Sequence, residues 1–244
     1  MKKFILTGHS RGLGAAIAEQ LLQSGNPVMG LSRKPHPTLK GKYPDHLAEY
    51  CIDLSDKAQV LEFLSRPLFK DFLADASVAV LINNAGILLP IGMNGKLSNS
   101  EIFDAVTVNV AAAISLTNAF IAATEDAKDR RVIQISSWAA RSPYAGWSVY
   151  CATKAALDHH TRSLLLEAPA NLKAVSLAPG VIDTDMQAQV RATSLSAFPA
   201  RPRFDQLKQD NALASPPAVA EKLLRFLDHP NFGEDPCTDL RQIS

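Results

Sequence analysis

Tyr150 and Lys154 stand four residues apart in a stretch with helical patterning, so a helix would put both side chains on one face. An ammonium beside a phenol favours the phenolate and draws a pKa that starts at about 10 toward working pH. Such a phenol can pass a proton to an oxygen on which negative charge is building. Ser137 closes an aliphatic run over 131–136, and from a strand end its hydroxyl can donate to that same oxygen. A second kind of chemistry is written near the start of the chain. Thr7-Gly8-His9-Ser10-Arg11-Gly12-Leu13-Gly14 follows a short apolar run and precedes a helical pattern. Glycines there let backbone N–H groups close on a pyrophosphate at a helix N-terminus, where the dipole favours anions.

Short aliphatic and β-branched runs at 3–7, 27–32, 48–52, 78–83, 131–136 and 172–178, with a short one near 237–241, alternate with helical patterns. The helical patterns cover 12–24, 56–74, 98–123, 147–167 and 217–227. This alternation predicts an α/β fold, one doubly wound domain over 1–244 with a seven-stranded parallel sheet between helices. Ligands of such sheets bind at the carboxyl ends of the strands. Gly25 is placed to end the first helix, while Ser55 and Ser215 are expected N-caps. Residues 33–47, with three prolines, read as a loop replacing a helix. Residues 186–216 form a longer irregular insertion, expected to act as a substrate lid.

The spacing Thr-Gly-xxx-Gly-x-Gly resembles the short-chain dehydrogenase/reductase family, whose domain is Rossmann-like, and further motifs follow in the family's order. Asp53-Leu54 comes after the third strand and Asn83-Asn84-Ala85-Gly86 after the fourth. Asn109 lies in the charge-free helix, Ser137 ends the fifth strand, Tyr150-xxx-Lys154 opens the next helix, and Pro179-Gly180 follows the sixth strand. The runs 146–155 and 179–187, with Gly146-Trp147 and Asp183-Thr184-Asp185-Met186, are similar to the sepiapterin reductase and benzil reductase branch. The resemblance implies Asn109, Ser137, Tyr150 and Lys154 as the catalytic set, with Lys154 also holding the nicotinamide ribose. Asn109 would support a water that relays protons to Lys154. It also implies cofactor contacts from Gly8, Ser10, Arg11, Gly12, Leu13, Gly14, Ser32, Arg33, Asp53, Leu54, Asn83, Ala85, Gly86, Pro179, Gly180, Ile182 and Thr184. The expected reaction is hydride transfer to a ketone or vicinal dicarbonyl, and the expected assembly is a homodimer or homotetramer.

Cofactor choice rests on Leu31-Ser32-Arg33-Lys34, where no acid awaits a ribose 2′-hydroxyl and Arg33, with Arg11, can grip a 2′-phosphate. NADPH is therefore expected. An NAD-linked alcohol or hydroxysteroid dehydrogenase is opposed by the same pair, Ser32-Arg33. A non-catalytic NADP-sensing protein is opposed by the joint presence of Ser137, Tyr150 and Lys154. Trp147 and Met186, with Tyr144 and Phe198, are candidates for an apolar substrate pocket. Asp239 is a candidate anchor for a pterin's amino-pyrimidine edge, since sepiapterin reductases carry an aspartate there.

Composition closes off other classes. The 244 residues carry 25 basic and 24 acidic side chains, a formal net charge of +1, with 47% apolar residues. A large core is available, and nothing basic favours nucleic acid. Cys51, Cys151 and Cys237 are scattered, which fits a reducing, cytoplasmic compartment and no metal site. His159-His160 point to different helix faces, so they make no joint metal site. Residues 105–124 lack charge at a length that suits a membrane span, but their alanines and polar residues read as a buried helix.

Overall fold

The computed structural model describes residues 1–167 and 169–243. Seven strands, β1 Lys2–Thr7, β2 Val28–Ser32, β3 Leu47–Cys51, β4 Val78–Asn83, β5 Asp129–Ile135, β6 Leu172–Ala178 and β7 Cys237–Asp239, form one sheet. Their order is β3-β2-β1-β4-β5-β6-β7, and every pairing is parallel. The fold is thus the single doubly wound, Rossmann-like domain that the alternation predicts. The order reverses between β1 and β4, and a crevice opens there at the carboxyl ends.

Successive strand residues feed opposite layers, because side chains alternate across a sheet. Phe4 and Leu6 pack with Ile17 and Leu21 of α1 (Gly12–Gln23) and with Leu223 and Phe226. Ile5 and Leu81 join Leu116, Phe120 and Val132 in the other layer. Ser215 caps the helix that carries Leu223, accepting from the Ala218 N–H, with Pro216 and Pro217 in its first turn. Gly25 follows α1 at φ +74°, a conformation open to glycine at little cost.

Several boundaries differ from the sequence expectation. The loop at 33–47 contains one helical turn, α2 (Leu39–Lys42), started by Thr38 and Leu39 N–H groups donating to His36 Nδ1 and held by buried Leu39. The 56–74 pattern splits at Pro67 into α3 (Lys57–Ser65) and α4 (Leu68–Leu73), as a proline ring requires. Asp56, not Ser55, caps α3, accepting from the Ala58 and Gln59 N–H groups, while Ser55 bonds Asp53 Oδ1.

The 98–123 pattern becomes α5 (Asn99–Val106), a π-helical segment Thr107–Ala112, and α6 (Ala113–Ala123). This stretch is long and apolar enough to cross a membrane, yet Val108, Ala112, Leu116 and Phe120 sit in the core against the sheet. It is a core helix. After α7 (Ser148–Leu166) and β6, the insertion folds as α8 (Asp185–Ala192) and α9 (Arg201–Gln209). Last comes α10 (Pro216–Leu227), the helix capped by Ser215.

Candidate active site

A cavity of about 1050 Å³ occupies the crevice, running from the glycine loop and the end of β2 to α8 and α9. At its floor α1 begins without a side-chain cap and without an acid in its first turn. Its first N–H groups therefore face the cavity with their own positive potential. Gly12 takes φ +56°, and a Cβ there would lie 3.5 Å from Thr184 across the groove, so any side chain would narrow the cradle. Thr7 Oγ1 accepts from the Asn84 and Ala85 N–H groups, and Asn84 Nδ2 donates to the Thr7 carbonyl. These bonds lock the ends of β1 and β4 together beneath the loop. The uncapped helix start and the open glycine cradle suit the pyrophosphate of a dinucleotide.

His9 of the same loop turns inward and is fully buried, its Nε2 2.7 Å from Glu49 Oε1. Its ring fills the space over Gly30, where a Cβ would come within 2.6 Å of Nδ1. Glu49 Oε1 also accepts from the His36 N–H, so this carboxylate is turned away from the cavity. Ser32 Oγ donates to the Lys34 carbonyl at 2.6 Å, which tightens the turn and leaves Arg33 exposed at the cavity edge. Arg11 leans across the mouth toward Asp185 at the start of α8, Nη1 to Oδ2 3.3 Å.

The proton-handling group sits midway. Ser137 caps the short 3₁₀ turn Trp138–Ala140 by accepting from the Ala139 N–H, and it lines the cavity together with Tyr150. Burial pushes the Tyr150 phenol up to about 12, against the pull of the Ser137 hydrogen bond. The sequence expectation of a phenol drawn downward is thus reversed here, because desolvation of the phenolate outweighs the lowering influence of Ser137. Lys154 Nζ donates to the Ile135 carbonyl at 2.7 Å and lies 5.7 Å from the Tyr150 ring centroid. Burial lowers Lys154 to about 8, while the Asp158 charge one turn further on opposes that fall.

Of the candidate catalytic, cofactor and substrate residues, Asn83, Asn109, Phe198 and Asp239 stand behind the cavity wall, and the others line it. Asn83 Nδ2 bonds Thr117 Oγ1 and the Ala113 carbonyl, so it pins α6 to the sheet, and Asn84 faces the cavity in its place. Strand alternation was the available signal for that swap. Asn109 accepts from the Ile87 N–H and donates to the Ile87 carbonyl and Thr153 Oγ1. Its side-chain amide is committed to protein groups and positions the Gly86–Ile87 backbone. Asp239 bonds Arg241 through both oxygens, and Arg241, which sequence reasoning did not single out, reaches the cavity instead.

The insertion is seated by the Gly146-Trp147 pair. A Cβ on Gly146 would come within 2.1 Å of the Ala197 carbonyl, and Trp147 stacks on Phe198 at 4.3 Å and 16°. Phe198 is therefore buried behind Trp147, outside the cavity wall, whereas Trp147, Tyr144 and Met186 line it. Phe204 and Leu207 of α9 complete this apolar end; the loss of helical signal at Pro199 and Pro202 hid them.

The sequence profile of the family described as short chain dehydrogenase matches residues 2–195. The chain is 36% identical to the "Benzil reductase ((S)-benzoin forming)" of Bacillus cereus, over 95% of this chain and 96% of that one. It is 33% identical to the sepiapterin reductase of Mus musculus, over 93% of this chain and 92% of that one. A crystal structure of a short-chain dehydrogenase/reductase from Burkholderia vietnamiensis superposes with a TM-score of 0.72 at 40% identity, covering 100% of this chain and 98% of that one.

Proposed function

The chain belongs to the short chain dehydrogenase family, and from that premise we propose that it is an NADPH-dependent carbonyl reductase acting on vicinal dicarbonyls of the benzil type. The observation that carries this reading is the placement of Ser137, Tyr150 and Lys154 together on one cavity wall, between a glycine cradle and an apolar, aromatic chamber. When bound, the nicotinamide would supply the hydride. Ser137 would donate to the substrate oxygen, and Tyr150 would hold and release the proton that oxygen receives. Lys154, fixed by the Ile135 carbonyl, would orient the ribose and offset the phenolate left behind. Trp147, Met186 and the insertion would exclude water and gather planar apolar faces. NADPH is favoured over NADH because Arg33 and Lys34 face the cavity while Glu49 does not. The names of both relatives point to the same class of reaction.

The direct test measures NADPH consumption with benzil, in parallel with NADH. Reduction with NADPH is expected, and no diketone reduction with either cofactor would sink the class assignment.

The pH profile should report the buried pair. A lysine lowered to about 8 loses its charge as pH rises through that value, whereas Tyr150 keeps its proton to about 12. Reduction should therefore be steady at neutral pH and decline above about 8. A decline only near pH 6 would assign the limb to another group.

We also propose that the chain pairs with itself through α5 and α7, where Phe103 and Val106 are exposed beside a shallow groove lined by Ile102 and Val149. The cysteines lack disulfide partners among the described residues, which agrees with the proposed reducing, cytoplasmic setting.

A further inference from the structure

Arg241 is built into the cavity with unusual care for a surface arginine. Its Nε and Nη2 are held by Asp239, whose side chain is 1% exposed, at 3.0 and 2.6 Å. Its guanidinium lies 5.8 Å from the centroid of the Trp138 ring, and its side chain would meet a Cβ on Gly180 at 3.4 Å. Nη1 has no partner among the described residues, and the side chain remains 53% exposed. A second cation faces the same space from the insertion. Arg203 of α9 lines the cavity, donates to the Tyr144 hydroxyl at 3.1 Å, and pairs with no carboxylate among the described residues. Both share the cavity with the reacting centre and connect to it through intervening aromatic residues. Trp138 directly follows Ser137, and Tyr144 packs on Trp147 at 5.3 Å, which packs on Tyr150 at 5.6 Å. Asp183, also on the cavity wall, is paired with Lys208 at 2.7 Å and Asp185 with Arg11, so these acids are already engaged by other cations.

We propose that this cavity takes aromatic 2-oxo acids, with Arg241 and Arg203 gripping the carboxylate beside the reacting carbonyl, a proposal that rests on the reductase reading above. A guanidinium held in place by a buried carboxylate keeps its remaining N–H groups oriented, which suits the planar geometry of a second carboxylate. The aromatic ring would lie against Trp147 and Met186. The keto carbon gains a hydride from NADPH, which becomes NADP⁺, and the keto oxygen takes the Tyr150 proton, later replaced from water. The product is a 2-hydroxy acid whose carboxylate is unchanged. The engagement of Asp239 by Arg241 also replaces an acidic anchor for pterins with a basic one.

The test compares benzoylformate with 1-phenyl-1,2-propanedione, which has a neutral acetyl group where the acid has its carboxylate. Arg241→Gln should lower kcat/KM for benzoylformate about tenfold or more, mainly through KM, and lower that for the neutral diketone much less. Arg203→Gln, on an exposed helix, should act in the same direction and serves if loss of the Asp239 pair unfolds the first variant. With the protein saturated by NADP⁺, benzoylformate should quench tryptophan fluorescence in the parent and require higher concentration in either variant. Parallel losses for both substrates, or diketone reduction with neither turnover nor binding of benzoylformate, would overturn the anion anchor and leave the reductase reading standing. Reduction of neither substrate would overturn both.

Discussion

A Tyr150→Phe protein is expected to fold, to bind NADPH as the parent does, and to turn over benzil at least about 10²-fold more slowly. The substitution removes only the hydroxyl. The ring stays packed at 5.6 Å on Trp147, and Ser137 keeps its bond from the Ala139 N–H. Stability should thus change little. What disappears is the proton that the substrate oxygen receives, which water would have to supply without orientation. Measured kcat for the folded variant decides the matter, with tryptophan quenching by NADPH as the binding control. Near-normal turnover would remove Tyr150 from the mechanism.

The second large effect belongs to Arg33. A charge-assisted contact contributes roughly 1.5–3 kcal/mol, or about ten- to a hundredfold in affinity. Arg33→Ala should therefore raise the Kd for NADPH by that factor and leave NADH almost unchanged. Arg11 offers less reserve, because it leans toward Asp185 at 3.3 Å and must trade that partner for a phosphate. Arg11→Ala should accordingly cost less than Arg33→Ala. Equal losses for the two cofactors in Arg33→Ala would mean that the residue shapes the turn without reading the phosphate.

Much of this architecture was legible because strong local signals agreed with one another. Every strand is legible to within about two residues, most plainly β1, β2 and β4, whose burial on both faces makes them nearly continuous apolar runs. The glycine loop, Ser137, Tyr150 and Lys154 were legible as residue types at fixed places along that alternation. What escaped depends on facts that a linear pattern does not contain. The electrostatics of Tyr150 are set by its burial, and a spacing of four residues reports proximity to Lys154 but not the loss of water around both. Arg241 emerged because a 3₁₀ turn, Leu240–Gln242, rotates it off the end of β7 toward the cavity, and nothing periodic precedes so short a turn. The helices of the insertion were obscured by prolines that start α9 instead of interrupting it.

His9 and Gly30 carry an implication for any redesign of the cofactor loop. The imidazole occupies the volume that a side chain at position 30 would need, and it does so while bonded to Glu49. The two positions, one in a loop and one in the middle of β2, are therefore not independent variables. A larger residue at 30 is reachable only after position 9 has become small, and shrinking position 9 first leaves a void and a carboxylate held by His36 alone. The route between this loop and one with a filled strand position has a required order of steps. Libraries that vary the glycine loop by itself explore only one side of that barrier.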